Sequence, residues 1–390
     1  MRNFSIKNIS LWLFYIAIAL LAISDSGIQL LILTEIGPGS RIFRLTAMWL
    51  LFSKVLLTRY TKKEFFILAP LGILSLYNYH IAGNIFGLYT ILVIAASKDI
   101  DYSILFKTLF YSTLSTVVFV GILSFFEIGS PTQLTEDFGR GLVETRYCFG
   151  LYHPNIWHQA IGRCIVFGCI GYYKQINCLH LAILFVFNYF IFRMSVSRTG
   201  LLAIWLILIL IMFYKYFPKF MHTLFAKTSI IIGSLSVYAI YFYFSHRLYA
   251  DEYDYYGMMF NWKVANGRIR QAIDFLLIHP IHLLSSRFPD DGTLFDCGFF
   301  RLFYEGGYLW SGLFFLCFFA LVILAMKKNW DIIIPVCLYF IFCSLYEYDP
   351  VTRPTFNLVA FFLPLLLYKT LRPSFDNFML SCQRTRSPKS

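Results

Sequence analysis

Long apolar runs, separated mostly by short polar connections, repeat along the whole chain. A helix of about 20 residues crosses the hydrocarbon core of a bilayer, so the runs predict about twelve transmembrane helices in a single membrane domain over residues 1–390. The predicted spans lie near residues 9–33, 43–58, 64–79, 83–97, 104–127, 157–172, 178–193, 200–214, 228–245, 303–326, 330–346 and 355–369. The pattern therefore predicts an all-α, polytopic integral membrane protein.

Two connections are much longer than the others. They cover residues 127–157 and 246–303. With the N-terminus inside, an odd number of preceding spans, five and nine, places both on the outer face. Long loops in a compact helical domain usually carry function or are disordered. The second loop contains a helix-like stretch, residues 267–284, that is interrupted near His279 and Pro280. We therefore expect an ordered, partly re-entrant element in this loop.

Composition agrees with a membrane protein and excludes several other classes. Apolar residues make up 58% of the chain, mean hydropathy is +0.66 and only 14% of residues are charged, against about 25% in soluble domains. The net charge of +12 is scattered over short connections, which argues against a nucleic-acid partner. Residues 9–33 are followed by no small-residue cleavage site, so we expect them to remain as a span. The nine cysteines show no CxxC spacing, and we expect neither metal nor cofactor.

Lysine and arginine separate to opposite sides of the predicted membrane. Nearly all lysines fall on the side of the N-terminus, and a lysine excess marks the cytoplasmic face, so both termini are expected in the cytoplasm. Most arginines fall on the outer side or at its boundary. These are Arg41, Arg44, Arg140, Arg146, Arg193, Arg198, Arg247, Arg268, Arg270, Arg287, Arg301 and Arg353.

The outer arginines need a cause other than the positive-inside rule. The guanidinium group is planar and permanently charged, and it binds phosphate with two parallel hydrogen bonds, which lysine cannot do. We expect these arginines to lack matching carboxylates. The sequence therefore predicts a phosphate-handling site on the outer face.

Four motifs in the two long loops and at the starts of the neighbouring spans occur in a recognisable order. They are RYCFGLYHPN (Arg146 to Asn155), SVSRTG (Ser195 to Gly200), NGR (Asn266 to Arg268) followed by IHP, and FDCGFFRLFYEGG (Phe295 to Gly307). The series resembles the Wzy-type polysaccharide repeat-unit polymerases and the related O-antigen ligases. The resemblance covers residues 146–307 by motif and the remainder by hydropathy alone.

The resemblance implies a GT-C-like fold and a glycosyl-transfer reaction on the outer face of the bacterial cytoplasmic membrane. In such enzymes a growing glycan moves from its polyprenyl diphosphate carrier to a hydroxyl of the next lipid-linked repeat unit. Donor and acceptor are then both polyprenyl-diphosphate-linked oligosaccharides. A chain-length regulator and a flippase are the implied protein partners, and no metal is implied.

The same resemblance assigns roles to particular residues. Preorganised cations stabilise the departing diphosphate, and a carboxylate or histidine takes the proton of the acceptor hydroxyl. The implied catalytic residues are Asp296, Arg198 and Arg268, with Asp296 as base. The implied contacts to diphosphate or glycan are Arg146, His153, Asn155, Arg270, His279 and Arg301. Ligases usually carry a histidine where this chain has Asp296, so the departure favours a polymerase, and His153, His279 and His282 remain alternative bases.

Other interpretations stay open. The chain is alternatively a flippase of lipid-linked oligosaccharides or a ligase of finished glycan. Arg198 is alternatively a residue that snorkels to lipid headgroups, and His153 with Pro154 a turn that starts a helix. Cys148 and Cys297 either form a disulfide or stay reduced.

Two further charged features lead to expectations. Arg163 lies within the sixth predicted span, where we expect it to face the interior with a lipid phosphate as one candidate counter-charge. The acidic residues of the second loop are expected to be solvated rather than to bind a divalent cation. These are Asp251, Glu252, Asp254, Asp290 and Asp291.

Overall fold

Helices form most of the described chain. The computed structural model describes residues 6–28, 39–83, 85–138, 141–287, 289, 295–347 and 353–380. Arg140, Asp290, Asp291 and the side chain of Arg41 lie outside the described residues.

The elements follow each other along the chain with mostly short connections. The first part contains α1 (Ile6–Ile23), a π-helical turn (Ser24–Ile28), α2 (Gly39–Leu56), α3 (Lys62–Ala82), α4 (Phe86–Ala96), α5 (Tyr102–Phe125), β1 (Gln133–Asp137), β2 (Val143–Tyr147), α6 (Pro154–Gly171), α7 (Cys178–Ser195) and α8 (Arg198–Tyr216). The second part contains α9 (Pro218–Met221), α10 (Leu224–Ala250), α11 (Tyr255–Lys263), α12 (Arg268–Ile278), α13 (Gly298–Lys328), α14 (Ile333–Tyr346), a 3₁₀ turn (Leu358–Phe361), α15 (Pro364–Leu367) and α16 (Leu371–Leu380).

The helices support a multi-pass membrane protein. Within the described residues, seven helices are long and apolar enough to cross a bilayer: Ile6–Ser26, Lys62–Ala82, Tyr102–Phe125, Cys178–Ser195, Arg198–Tyr216, Leu224–Ala250 and Gly298–Lys328. The number twelve stays a prediction. The expected continuous helix over residues 355–369 is wrong, because a 3₁₀ turn and α15 replace it. Pro364 has no N–H to donate, and it is the first residue of α15.

The chain divides into two compact units. Unit 1 comprises residues 1–60, 92–212 and 368–390, and unit 2 comprises residues 61–91 and 213–367. In unit 1, α5 packs along α6 and α1, and α1 packs along α2. Close glycine contacts fix the antiparallel pair of α5 and α6: a Cβ on Gly171, at the end of α6, would lie 3.1 Å from the backbone nitrogen of Lys107.

A buried charged group lies beside the π-helical turn of unit 1. Asp25 is fully buried there, and its carboxylate is 3.4 Å from the Nη2 atom of Arg44. Arg163 is also buried, and its Nη2 atom donates to the carbonyl oxygen of Asp25 at 3.4 Å. The expectation that Arg163 faces the interior is confirmed. An acidic residue of the protein lies beside it, so a lipid phosphate is not needed as the nearby negative charge.

In unit 2, α10 and α13 run antiparallel. Lys227 lies near the start of α10. Its Nζ atom donates a hydrogen bond to the carbonyl oxygen of Met326, near the end of α13, at 2.8 Å. Asn78, near the end of α3, contacts Gly306 in the first third of α13. A buried apolar cluster that includes Tyr241, Ile269 and Phe295 joins α10, α12 and the segment before α13.

The first long loop contains a β-hairpin that the sequence analysis did not predict. β1 and β2 pair antiparallel, with Leu134 opposite Arg146 and Thr135 opposite Thr145. Gly150 follows the hairpin with a φ of +79°. A Cβ at this position would lie 2.9 Å from the carbonyl oxygen of Val120, so the glycine lets the hairpin connection approach the end of α5 closely.

Candidate functional site

The nine predicted site residues fall into both units. Unit 1 contains Arg146, His153, Asn155 and Arg198. Unit 2 contains Arg268, Arg270, His279, Asp296 and Arg301.

Arg268 is the centre of the site in unit 2. It begins α12 directly after Asn266 and Gly267, which have φ values of +53° and +81°. The Arg268 side chain is buried, and its Nη2 atom lies 3.2 Å from Oε1 of Glu347 and 3.9 Å from Oδ2 of Asp296. The NGR motif therefore turns the chain so that a guanidinium group reaches two carboxylates at the ends of other elements.

The two carboxylates differ in their access to solvent. The side chain of Glu347 is 11% exposed, whereas that of Asp296 is 50% exposed. A buried charge needs a partner and hydrogen bonds to be tolerated, and Glu347 supplies both to Arg268. Asp296 is left with a solvent-accessible carboxylate near the guanidinium group of Arg268. The sequence analysis identified Arg268 and Asp296 but missed Glu347, whose only signal is a lone acidic residue after an apolar helix.

Arg270 has a structural connection of its own. Its Nη2 atom lies 2.6 Å from Oε2 of Glu252, and its Nε atom lies 2.8 Å from Oδ1 of Asp274. The hydrogen bond from Arg270 lowers the pKa of Glu252. Arg270 thus links α12 to the loop after α10. The guanidinium group of Arg270, which was expected to bind substrate, is already paired with two carboxylates.

Asp254 also has an ion-pair partner within the second loop. It forms an ion pair with Arg247 and accepts a hydrogen bond from the backbone nitrogen of Gly257, which caps α11. The hydrogen bond from Arg247 lowers the pKa of Asp254. Glu252 and Asp254 are therefore ion-paired rather than simply solvated, and the described residues contain no group of three side chains that could hold a metal ion.

Arg301 and Glu305 pair along α13. The Nε atom of Arg301 lies 2.5 Å from Oε1 of Glu305, and both side chains are half-buried. The carbonyl oxygen of Glu305 accepts a hydrogen bond from Ser285. Arg301 is consequently part of the junction between α13 and the segment before it.

His279 ends α12, as the expected interruption near His279 and Pro280 requires. Its backbone nitrogen donates to the carbonyl oxygen of Phe275 at 2.9 Å. Its ring packs on the ring of Phe275, with 4.8 Å between the two centroids. The chain then continues past His282, which is exposed, towards α13.

The helix α13 is broken at Gly307, near the end of the last motif. Gly307 has φ +71° and ψ 172°, a combination that essentially only glycine adopts. The backbone nitrogens of Tyr308 and Leu309, which the break leaves without helical partners, donate to the carbonyl oxygens of His282 and Leu283 at 3.1 and 3.0 Å. The segment after α12 therefore completes the hydrogen bonding of the broken helix.

In unit 1, Arg146 lies beneath the hairpin rather than in solvent. It is buried, forms an ion pair with Glu144 on the same strand, and places its guanidinium carbon 3.9 Å from the centre of the Phe138 ring. The ring of His153 contacts Phe138 edge-on. Arg146, Phe138 and His153 are thus one packed group.

His153 and Asn155 form the start of α6. The Nδ1 atom of His153 accepts a hydrogen bond from the backbone nitrogen of Asn155 at 3.1 Å, and Pro154 occupies the first helical position. Because proline suits this position, the HPN sequence has a sufficient structural cause. In the fold, His153 and Pro154 therefore form the turn that starts α6, which is the alternative interpretation of these two residues.

Arg198 differs from the other predicted site arginines. It is the first residue of α8, its side chain is exposed, and it forms no ion pair within the described residues. The expectation that the outer arginines lack carboxylates is wrong for several of them. Carboxylates pair with Arg44, Arg146, Arg247, Arg268, Arg270 and Arg301.

A buried hydrogen-bonded chain fixes the turn that carries Arg198. Nδ2 of Asn188 donates to the carbonyl oxygen of Leu201, which leaves its Oδ1 atom facing Nε2 of His158 at 2.9 Å. Nε2 therefore carries the proton, and Nδ1 of His158 accepts from the hydroxyl of Ser195 at 2.8 Å. The three side chains are buried, and the sequence analysis did not predict this group.

Glycine makes room for this chain. A Cβ on Gly200 would lie 2.6 Å from Cδ2 of His158, so the last residue of the SVSRTG motif allows α8 to approach the imidazole. Val196 in the same turn has a φ of +55°. The turn before Arg198 is therefore held by contacts on several sides.

The two cysteines near the motifs are free thiols. Cys148 is buried in unit 1 and donates to the carbonyl oxygen of Pro131, while Cys297 is buried in unit 2. Burial raises the pKa of Cys148 to about 11, so this thiol stays protonated at neutral pH. Of the two alternatives, a disulfide or two reduced thiols, the structure shows two reduced thiols.

Comparison with protein-family models, with curated proteins and with solved structures found no match to this chain. The function is therefore argued from the chemistry of the site and from the order of the motifs.

Proposed function

We propose that this protein is a membrane glycosyltransferase that polymerises polyprenyl-diphosphate-linked oligosaccharide repeat units, with a GT-C-like arrangement of about twelve spans. The reaction takes place on the outer face of the bacterial cytoplasmic membrane. The observation that carries the proposal is the half-exposed carboxylate of Asp296, which lies 3.9 Å from a guanidinium group that buried Glu347 holds in place.

The chemistry follows from these two groups. The acceptor hydroxyl attacks the anomeric carbon of the donor glycan while Asp296 takes its proton, a glycosidic bond forms, and the bond to the carrier breaks. The diphosphate leaves with the bonding electron pair. Arg268 presents positive charge to the developing anion. The carrier diphosphate is already an activated leaving group, so the reaction requires neither nucleotide sugar nor metal.

For Arg198 we propose a diphosphate contact. It is exposed, carries the planar fork that suits phosphate, and forms no ion pair within the described residues. The buried chain through His158 holds the turn beneath it. A residue that only snorkels needs no such support.

The test uses purified protein in detergent with lipid-linked repeat units. Wild-type protein is expected to lengthen them without nucleotide sugar or added metal. Asp296→Asn keeps size but loses basicity, and lengthening should fall by about 10²–10⁴-fold. Asp274→Asn is the matched control, because the Asp274 side chain is also 50% exposed and also contacts an arginine. Equal rates for wild-type protein and Asp296→Asn would contradict the proposed base.

Transport is the second candidate function, and the break in α13 favours it. Transporters bind their substrates at helices interrupted within the membrane, and Gly307 interrupts a candidate span. In sealed vesicles a flippase would move labelled lipid-linked repeats across the bilayer without lengthening them. That result, with no lengthening in detergent, would replace the polymerase proposal.

A further inference from the structure

Three buried polar atoms near the break in α13 have no hydrogen-bond partner in the described structure. They are Oδ1 of Asn78, Nε1 of Trp310 and Oγ of Ser286, on residues that are 4%, 5% and 8% exposed. Buried polar groups are nearly always satisfied, and each unsatisfied one costs stability. Three of them around one irregular turn therefore point to a ligand that satisfies them.

Asn78 and Trp310 both contact Gly306 in unit 2. Nδ2 of Asn78 donates to the carbonyl oxygen of Gly306 at 3.4 Å, so the amide of Asn78 is anchored at the break. A Cβ on Gly306 would lie 2.7 Å from Cδ1 of Trp310, and a Cβ on Gly87 would lie 3.5 Å from Cε2. Nε1 is bonded to both of these ring carbons, so the unpartnered indole N–H lies beside Gly306 and Gly87.

The chemistry of the two groups selects the ligand. The ligand must accept a hydrogen bond from the indole N–H of Trp310 and donate one to Oδ1 of Asn78. A hydroxyl group does both. A phosphate would direct negative oxygen at the amide oxygen, and an ammonium group has no lone pair for the indole. Ser286, on the segment that covers the break, adds a hydroxyl that serves in either direction.

We propose that the break in α13 forms a pocket for a sugar hydroxyl of the lipid-linked substrate. This deepens the proposed function and rests on it for the identity of the ligand. The part of α13 before the break, from Gly298 to Gly306, is about 12 Å long and separates the pocket from Asp296. The bound hydroxyl therefore belongs to a part of the glycan remote from the reacting bond, where binding sets specificity.

The experiment measures binding of two lipids to detergent-solubilised full-length protein. The first probe is the lipid-linked repeat unit, and the second is the bare polyprenyl diphosphate without glycan. Asn78→Leu removes the unpartnered Oδ1 together with Nδ2, and Trp310→Phe removes the unpartnered Nε1. Each variant should bind the lipid-linked repeat about 3–10-fold more weakly, as expected for loss of one neutral hydrogen bond. Binding of the bare diphosphate should stay unchanged.

Trp205→Phe is the matched control for loss of an indole ring. Nε1 of Trp205 already donates to the carbonyl oxygen of Phe185 at 3.2 Å, so this variant should bind both lipids as wild-type protein does. Oδ1 of Asn78 and Nε1 of Trp310 have no partner without substrate, so loss of these two atoms should not lower the thermal unfolding midpoint. Asn78→Leu should lower it only through loss of the hydrogen bond from Nδ2 to Gly306. Trp310→Phe should lower it no more than Trp205→Phe does.

Two results would overturn the pocket. One is unchanged binding of the lipid-linked repeat in both variants, together with a midpoint of Trp310→Phe that falls below that of Trp205→Phe, which is the behaviour of a buried structural water. The other is equal weakening for both lipids, which would place the carrier and not the glycan near the break. Binding is read separately from lengthening. A protein that binds glycan through this pocket but never lengthens it would refute the polymerase and leave the pocket standing.

Discussion

At the scale of single residues, a buried arginine is tolerable only because of its carboxylate. Arg268 and Glu347 are both buried, and their side chains meet at 3.2 Å. Asp296 is half exposed and 0.7 Å farther away, at 3.9 Å against 3.2 Å. Solvent screens exposed pairs strongly and buried pairs weakly. Glu347 should therefore carry stability, and Asp296 should contribute little to it.

This division predicts opposite effects for two similar substitutions. Glu347→Gln leaves a buried guanidinium without its main counter-charge, and we expect the free energy of unfolding to fall by about 3 kcal/mol. Asp296→Asn should change it by less than about 1 kcal/mol. Chemical or thermal unfolding of the detergent-solubilised variants measures both. A large loss of stability in Asp296→Asn would mean that Asp296 is a structural partner of Arg268 rather than an accessible base.

A second prediction at this scale concerns the shape of the cation. Arg198→Lys keeps the charge but loses the fork, so lengthening of lipid-linked repeats should fall about tenfold or more. Arg193→Lys is the control, because Arg193 is also exposed and has no ion pair in the described part of the chain. Membrane insertion of both variants, followed by reporter fusion, should match wild-type protein. Equal activity of the two variants would contradict the diphosphate contact and would mean that Arg198 only extends to the lipid headgroups.

The pairs themselves show what sequence can predict at this scale. Arg270 with Asp274 and Arg301 with Glu305 are four residues apart on a helix, a spacing that brings side chains together. These pairs were available to sequence reasoning. Arg268 and Glu347 are 79 residues apart, and only the packing of α12 against the end of α14 joins them. The same holds for the group of His158, Asn188 and Ser195, whose members lie on two helices.

At the scale of elements, the break in α13 is a property of one glycine and one segment. A Cβ on Gly307 would lie 2.4 Å from the carbonyl carbon of Leu284. The segment around Leu284 is close because its carbonyls receive the backbone N–H groups that the break exposes. Glycine, break and covering segment therefore depend on each other, and a substitution at Gly307 should affect all three.

Gly307→Ala and Gly312→Ala make a matched pair in one helix. The first puts a side chain into a backbone conformation reserved for glycine and against Leu284, so the free energy of unfolding should fall by at least roughly 2 kcal/mol. The second fills open space in a regular helix and should be neutral or stabilising by up to about 1 kcal/mol. Thermal unfolding compares them. Equal stabilities would show that the break is not needed for the packing of residues 281–287.

Hydropathy predicted the long helices because lipid forces every backbone group into internal hydrogen bonds. It failed where that constraint is absent. The strands β1 and β2 are five residues each and mostly polar. Their alternation of apolar and polar residues is too short to distinguish a strand from a loop. Residues 355–369 are apolar enough for a span, yet Pro364 divides them. Composition alone does not reveal where an apolar run bends.

At the scale of the whole molecule, the separation of lysine from arginine has a physical counterpart within unit 2. Lys227 begins α10 and meets the end of α13, where Lys327 and Lys328 lie. Arg247 ends α10, and Arg301 lies near the start of α13. Antiparallel packing thus collects lysines at one end of the helices and arginines at the other. The positive-inside rule then predicts that the lysine end lies in the cytoplasm and the arginine end on the outer face.

This assignment predicts the topology of the protein in cells. In a variant whose native cysteines are replaced, single cysteines at Asp137 and Asp254 should react with a thiol reagent that cannot cross the membrane. Cysteines at Lys62 and Lys219 should react only after the membrane is made permeable. Asp137 ends β1 of the hairpin and Asp254 caps α11, so both positions report on the loops that contain the predicted site residues. Because the carrier diphosphate and the acceptor meet on the outer face in the proposed reaction, labelling of either loop from the cytoplasmic side alone would refute both the topology and a site for outer-face polymerisation.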